Sequence, residues 1–131
     1  MGEQNLLQIT DKPIVPAEVI SRVKGEGCGA VVTFTGKVRG YSEGKRVISL
    51  EHDAEGEKAS EMMEKIATEV RENWDIKEMA FCYRTGPVPP GEVTLVIAVA
   101  ARHRLDAFAA CEYAIDRFKW EVKSKEVRED G

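Results

Sequence analysis

Residues 93–119 read VTLVIAVAARHRLDAFAACEYAIDRFK. The first nine, Val93 to Ala101, carry no charge and follow Pro89-Pro90-Gly91. An uncharged run of that length behind a turn predicts a strand buried on both faces. Arg102, His103 and Arg104 come next, and a helix is expected from about Asp106 to Phe118. Phe108, Cys111, Ile115 and Phe118 recur at helical spacing and mark its expected buried side. On a wheel of ~100° per residue, Lys119 lies within ~40° of Phe108 and Ile115, so a lysine ends the helix in line with its apolar stripe.

The chemistry this suggests is anion binding. Two arginines and a histidine stand where a buried strand stops and a helix starts. The first amides of that helix are unpaired and carry partial positive charge. Arginine grips phosphate or carboxylate through two parallel hydrogen bonds. A lysine held near apolar side chains loses hydration, which favours its neutral form as nucleophile or proton shuttle. The competing reading makes Arg102-His103-Arg104 a solvated turn and lets Lys119 snorkel to water.

The 131 residues suit one domain, and 43% apolar with 32% charged residues describe a soluble globular chain. Net charge is −4, so no basic excess exists to displace counterions from nucleic acid. A basic pocket on an acidic protein suits a small anionic ligand instead. No run approaches the ~20 apolar residues of a membrane span, and MGEQNLLQITDK lacks the form of a signal peptide. A cytoplasmic protein is expected. Cys28, Cys82 and Cys111 form no C-x-x-C pair, and His52 and His103 are the only histidines, so no metal site is indicated. Cys82 and Cys111 fall in apolar patterns and are expected to be buried, unreactive thiols.

Along the chain, Ile9 to Val15 reads as an entry strand or arm, and Pro16 opens a helix to about Lys24. Gly25-Glu26-Gly27-Cys28-Gly29 follows a helix and opens a strand, the reverse of a dinucleotide loop, so a helix stop and turn is expected. Ala30 to Val38 is a strand with Val32, Phe34, Gly36 and Val38 on one face. It returns through Tyr41–Arg46 as a second strand, Val47 to His52. Glu57 to Trp74 is a long amphipathic helix, Ile76 to Arg84 a strand, and GPVPPG at 86–91 a rigid turn. The tail WEVKSKEVREDG reads equally as a short exposed strand or a frayed terminus. The order implies an α+β fold with a mainly antiparallel or mixed sheet.

Four blocks in this order resemble the large, catalytic subunit of molybdopterin synthase. They are VVTFTGKVRG at 31–40, ISLEHDAEGEKA at 48–59, YRTGPVPPGE at 83–92 and AARHRLDAFAACEYAIDRFK at 100–119. The resemblance implies an α/β hammerhead with an added antiparallel β subdomain. It also implies a homodimer that takes up a small ubiquitin-like subunit at each end, giving a heterotetramer. That partner's C-terminal Gly-Gly tail carries a thiocarboxylate, whose sulfur passes to cyclic pyranopterin monophosphate. Two transfers build the dithiolene of molybdopterin. Because the sulfur arrives on the partner, neither a cofactor nor a catalytic cysteine is expected.

By the same resemblance, Arg39 matches an arginine of the substrate pocket, with Lys37 and Val38 beside it. His103 and Arg104 match a pair at the pterin phosphate site, and Lys119 matches the lysine beside the thiocarboxylate carbon. The family's second essential lysine falls in a tail stretch that is shorter here. Aligning Glu126 with the family's glutamate puts Ser124 at that lysine; a shift of one residue gives the role to Lys125 or Lys123. Tyr83 stands where a histidine is common, and the family's cationic C-terminal extension is missing after Gly131. The alternative to a sulfurtransferase is a non-catalytic homologue that binds a ubiquitin-like partner or a pterin phosphate.

Overall fold

The computed structural model describes residues 4–52 and 56–129. In chain order the elements are β1 (Gln4–Thr10), α1 (Pro16–Ser21), β2 (Ala30–Lys37), β3 (Tyr41–Ser42), β4 (Lys45–His52), α2 (Gly56–Asn73), β5 (Ile76–Arg84), β6 (Val93–Ala101), α3 (Arg104–Glu121) and β7 (Ser124–Arg128). They form an α/β hammerhead with an added antiparallel subdomain. The main sheet has the order β1-β5-β6-β2, and the smaller one β3-β4-β7.

Strand β6 is buried at every position, as its uncharged sequence requires. Its odd-numbered residues Leu95, Ile97, Val99 and Ala101 pack under α2 and α3. Its even-numbered residues Val96, Ala98 and Ala100 pack under Val19 and Val23, in and just after α1. Each fully buried Val, Leu or Ile contributes ~1.5–3 kcal/mol by leaving water, so this strand anchors both cores. Antiparallel partners flank it, β5 with Phe81 opposite Ile97 and β2 with Phe34 opposite Ile97. Only β1 runs parallel to its neighbour, pairing Leu7 with Phe81, and this makes the sheet mixed.

Strands β2 and β4 and helix α2 shift by one or two residues from the bounds read in the sequence, and three other elements differ more. The first strand is β1, upstream of the stretch Ile9–Val15, because Gln4–Thr10 finds a full parallel register on β5. Helix α1 ends at Ser21 rather than near Lys24. Helix α3 begins at Arg104, directly after His103, and runs on to Glu121. The buried face of α3 also differs. Ala107, Ala110, Cys111, Ala114 and Phe118 face the core, whereas Phe108 is 61% exposed. Alanines let the helix axis lie close to the sheet, and that rotation leaves Phe108 outside and Ile115 half-buried.

The loop at 25–29 is a turn, with Gly25 and Gly27 at φ of 71° and 74°. The Gly25 N–H donates to Glu78 Oε1 at 2.8 Å, so an internal carboxylate already takes the amide that a phosphate loop would offer. The 86–91 turn packs inward instead of standing free. Val88 is buried with Val38 and Val47 in a small third cluster and bridges to Leu50. This cluster joins the smaller sheet to the larger one. Among the described residues, no helix is long and apolar enough to cross a membrane.

The thiols divide by burial. Burial alone raises the Cys111 pKa to about 11, and burial chiefly raises that of Cys82. Cys28 is half-exposed. Labelling of the native protein with a thiol-specific reagent at neutral pH should therefore modify Cys28 alone, with all three cysteines reacting after denaturation. Equal native rates at Cys28 and Cys111 would contradict this burial.

Candidate functional site

A cavity of about 590 Å³ opens where the end of β2, the last turn of α3 and the smaller sheet meet. The β2 end contributes Gly36, Lys37, Val38 and Arg39. The floor is Tyr83, Thr94, Leu95 and Phe118, and the far wall is Leu50, Val122, Ser124 and Glu126. Lys119 and Lys123 enter from the end of α3. Lys37, Arg39, Lys119 and Lys123 thus surround one space in which Glu126 is the sole carboxylate among the lining residues.

Local structure explains each placement. The β2–β6 register shifts between Gly36 and Lys37, a bulge that re-aims the strand end. A Cβ on Gly36 would stand 3.2 Å from Phe34 Cε2 and 3.4 Å from Thr94 Oγ1, so glycine leaves room for the Phe34 ring. The Lys119 ammonium lies 5.4 Å from the centre of that ring, within reach of cation–π attraction. Val38 is buried, and its N–H donates to the Glu92 carbonyl at 3.0 Å, which fixes the backbone that carries Arg39.

Arg39 is tied at its outer edge. Its Nη2 donates to Glu126 Oε2 at 2.9 Å and to Ser42 Oγ at 3.1 Å, and its Nε donates to Glu126 Oε2 at 3.2 Å. Three separate segments, β3, β7 and the end of β2, meet in this cluster. The Ser42 hydroxyl and then Arg39 hold the Glu126 carboxyl below the usual glutamate range. The cluster keeps β7 against the cavity and orients a guanidinium whose side chain remains 67% exposed.

Of the residues singled out in the sequence, Lys37, Val38, Arg39, Lys119 and Glu126 line this cavity, and so does Lys123. Lys125 does not line it. Strand alternation on β7 turns Lys125 away from the face of Ser124 and Glu126, and in the β4–β7 register it lies opposite Glu51. The tail is a strand, Ser124–Arg128, and not a frayed end, and of the two lysines it is Lys123, just before that strand, that lines the cavity. His103 and Arg104 do not line it either. They stand at the start of α3, and the rise of ~1.5 Å per residue puts Arg104 ~22 Å from Lys119 along the axis. The two groups that the sequence suggested would share one hollow are therefore separate within a single chain. Among the described residues nothing pairs with the side chains of Arg102, His103 or Arg104. Phe34, Ser42 and Trp120 were not singled out as site residues in the sequence. Phe34, two positions before Gly36, was legible only as a core-facing strand residue.

A cavity with four cations and one carboxylate, in an α/β hammerhead with an added sheet, defines a protein that handles small anions. The MoaE protein family matches residues 9–121. A molybdopterin synthase catalytic subunit of Bacillus subtilis is 40% identical over 95% of this chain and 80% of its own length. The crystal structure of a molybdopterin synthase from Staphylococcus aureus superposes with a TM-score of 0.84 at 35% identity, covering 94% of this chain and 91% of that one. A complex of subunits 1 and 2 of molybdopterin-converting factor from Helicobacter pylori shares the fold, with a TM-score of 0.74 at 17% identity, over 93% of this chain and 87% of that one. The chain belongs to the MoaE family. The matched span contains Arg39, His103, Arg104 and Lys119 and ends before Lys123.

The tie at Arg39 has a pH signature. A carboxyl whose folded pKa is depressed adds stability that is fully present above the ordinary glutamate value of about 4.3. That contribution is lost as pH falls through the lower folded value. Glu69 behaves alike, held low by Arg117 and then Tyr113. Thermal stability should fall on acidification, and a Glu126→Gln variant should lose less of it between neutrality and pH ~3. Superimposable acid profiles would show that the Glu126 contact adds nothing to the fold.

Proposed function

We propose that this protein is the catalytic subunit of a molybdopterin synthase, and that the cavity at the end of α3 is where sulfur changes hands. The partner is a small ubiquitin-like subunit whose C-terminal thiocarboxylate enters the cavity, and the acceptor is cyclic pyranopterin monophosphate. The observation that carries the reading is the convergence of Arg39, Lys119 and Lys123 on one space. Family membership and the two-subunit complex of the Helicobacter pylori relative support it.

The chemistry needs that arrangement. Both reactants are anions, and water competes for each of them. A space of about 590 Å³ falls within the ~300–1,000 Å³ range of small-ligand sites. Cations held in place before the reactants arrive stabilise charge as it develops and bring the reacting atoms together. Arg39 offers planar donors to a phosphate. Lys119, with its ammonium over the Phe34 ring, stands beside the reacting carbon and neutralises charge or passes a proton there. Lys123 serves as the second functional lysine. Ser124, at the position that favours a non-catalytic homologue, lines the same wall but leaves that role to Lys123.

His103 and Arg104 are too far along α3 to serve the cavity of their own chain. They serve the cavity of a second copy in a homodimer, where they complete the phosphate site. The assembly with two small subunits is a cytoplasmic heterotetramer.

With thiocarboxylated small subunit and cyclic pyranopterin monophosphate, Lys119→Ala should lower turnover by about 10²-fold or more. Arg39→Ala should weaken substrate binding by ~1.5–3 kcal/mol, the range for hydrogen bonds to charged groups. Full activity in Lys119→Ala overturns the sulfurtransferase assignment. The shared site is tested by co-expressing Lys119→Ala with Arg104→Ala. Mixed dimers should regain activity that neither variant has alone, because one of their two sites is intact. No recovery in verified mixed dimers places His103 and Arg104 outside the site.

A further inference from the structure

Trp120 is 72% exposed and lies in the last turn of α3, where a large ring does nothing for the core. Its indole is not part of the cavity wall. The Lys123 ammonium nevertheless lies 4.7 Å from the centre of the indole, well inside cation–π range. The backbone between them is fixed. Val122 is buried, takes an extended conformation at φ −108°, and its N–H donates to the Phe118 carbonyl at 2.8 Å.

Three of the four cations at this site are held in two different ways. Arg39 is held by a carboxylate, which contributes negative charge of its own. Lys119 and Lys123 each lie over a ring, Phe34 and Trp120 respectively. A ring face orients an ammonium without neutralising it and leaves its N–H donors free for an anion. A free lysine spreads over many rotamers, and an anion must then select the useful one. Lys123 lies between the end of α3 and the start of β7, with no strand pairing to place it.

We propose that Trp120 is a positioning residue for Lys123, holding its ammonium at the cavity rim so that an arriving anion meets a cation already in place. This rests on the reading of Lys123 as the second functional lysine. The contact acts through Lys123 alone and leaves the fold unaffected.

The test is a double-mutant cycle on the assembled enzyme, assayed for sulfur transfer to cyclic pyranopterin monophosphate. Trp120→Leu should lower kcat/KM about two- to fivefold, the range of an exposed cation–π contact. Trp120→Phe keeps a ring and should restore most of the loss. In a Lys123→Met background, Trp120→Leu should add nothing. Melting temperatures of the single variants should match the parent, since both side chains are exposed. A silent Trp120→Leu beside a damaging Lys123→Met overturns the positioning role alone. An equal loss from Trp120→Leu with and without Lys123 also overturns it, by showing that the indole acts independently. A silent Lys123→Met removes the underlying reading, and the positioning role falls with it.

Discussion

The burial of β6 on both faces governs the rest of the molecule. Every residue from Val93 to Ala101 is buried, so each face of the sheet needs cover from another element. Helix α1 supplies one cover, and α2 with α3 supplies the other. Against this strand and β2, α3 presents alanines at 107, 110 and 114, which set a close approach. The close approach decides where the helix ends. Its last turn comes down on β2 at Phe34, beside the bulge from which Lys37, Val38 and Arg39 emerge. The cavity is thus a consequence of how one strand is covered. Its cations meet because a helix and a sheet edge of set length must finish at the same place.

Gathering positive charge in this way is unfavourable, and the structure moderates it without cancelling it. At an effective dielectric constant of 20, two unit charges ~4 Å apart would repel by about 4 kcal/mol. Partial exposure of the side chains keeps the real figure well below that bound. The Glu126 carboxylate offsets part of the charge at Arg39, and the rings beside Lys119 and Lys123 attract their ammonium groups without cancelling the charge. The smaller sheet has its purpose here. Strand β7 pairs with β4 to bring Glu126 opposite Leu50, and β3 brings Ser42, so the counter-charge arrives on elements outside the main sheet. Removing β7 would take part of the wall together with Glu126, the one carboxylate among the lining residues.

Much of this was legible in the amino-acid sequence, for reasons that differ by element. Strands β5 and β6 have the bounds expected from their apolar runs, because Arg84 and Arg102 close them sharply. Arg39 and Lys119 were identifiable because they end blocks whose neighbours are recognisable. The face of α3 was misread because periodicity weighs large residues, and a helix packed through alanines hides its buried stripe from that count. Lys123 could not be separated from Lys125 because the choice depends on where α3 stops. An extended Val122 reverses which side of the chain faces the cavity, and only the hydrogen bond to Phe118 fixes that point. The Ser42–Arg39–Glu126 cluster joins residues 87 apart in part of its span, and no local pattern announces such a contact.

The length of α3 connects fold to assembly. An 18-residue helix is a rigid spacer of ~27 Å. It carries a lysine into the cavity at one end and, at the other, a His-Arg pair without a side-chain partner among the described residues. A phosphate cannot touch both ends of one such helix. Leu105 and Phe108 follow the pair at helical spacing and are 75% and 61% exposed. Side chains of that size gain by leaving water, and the cations beside them gain by meeting an anion. A second copy that brings its own cavity against the His103–Arg104 end would satisfy both demands in one contact. On that reading the same helix does opposite jobs at its two ends. It would complete one cavity in its own chain and another in its neighbour, and catalytic competence and dimer formation would then be a single property.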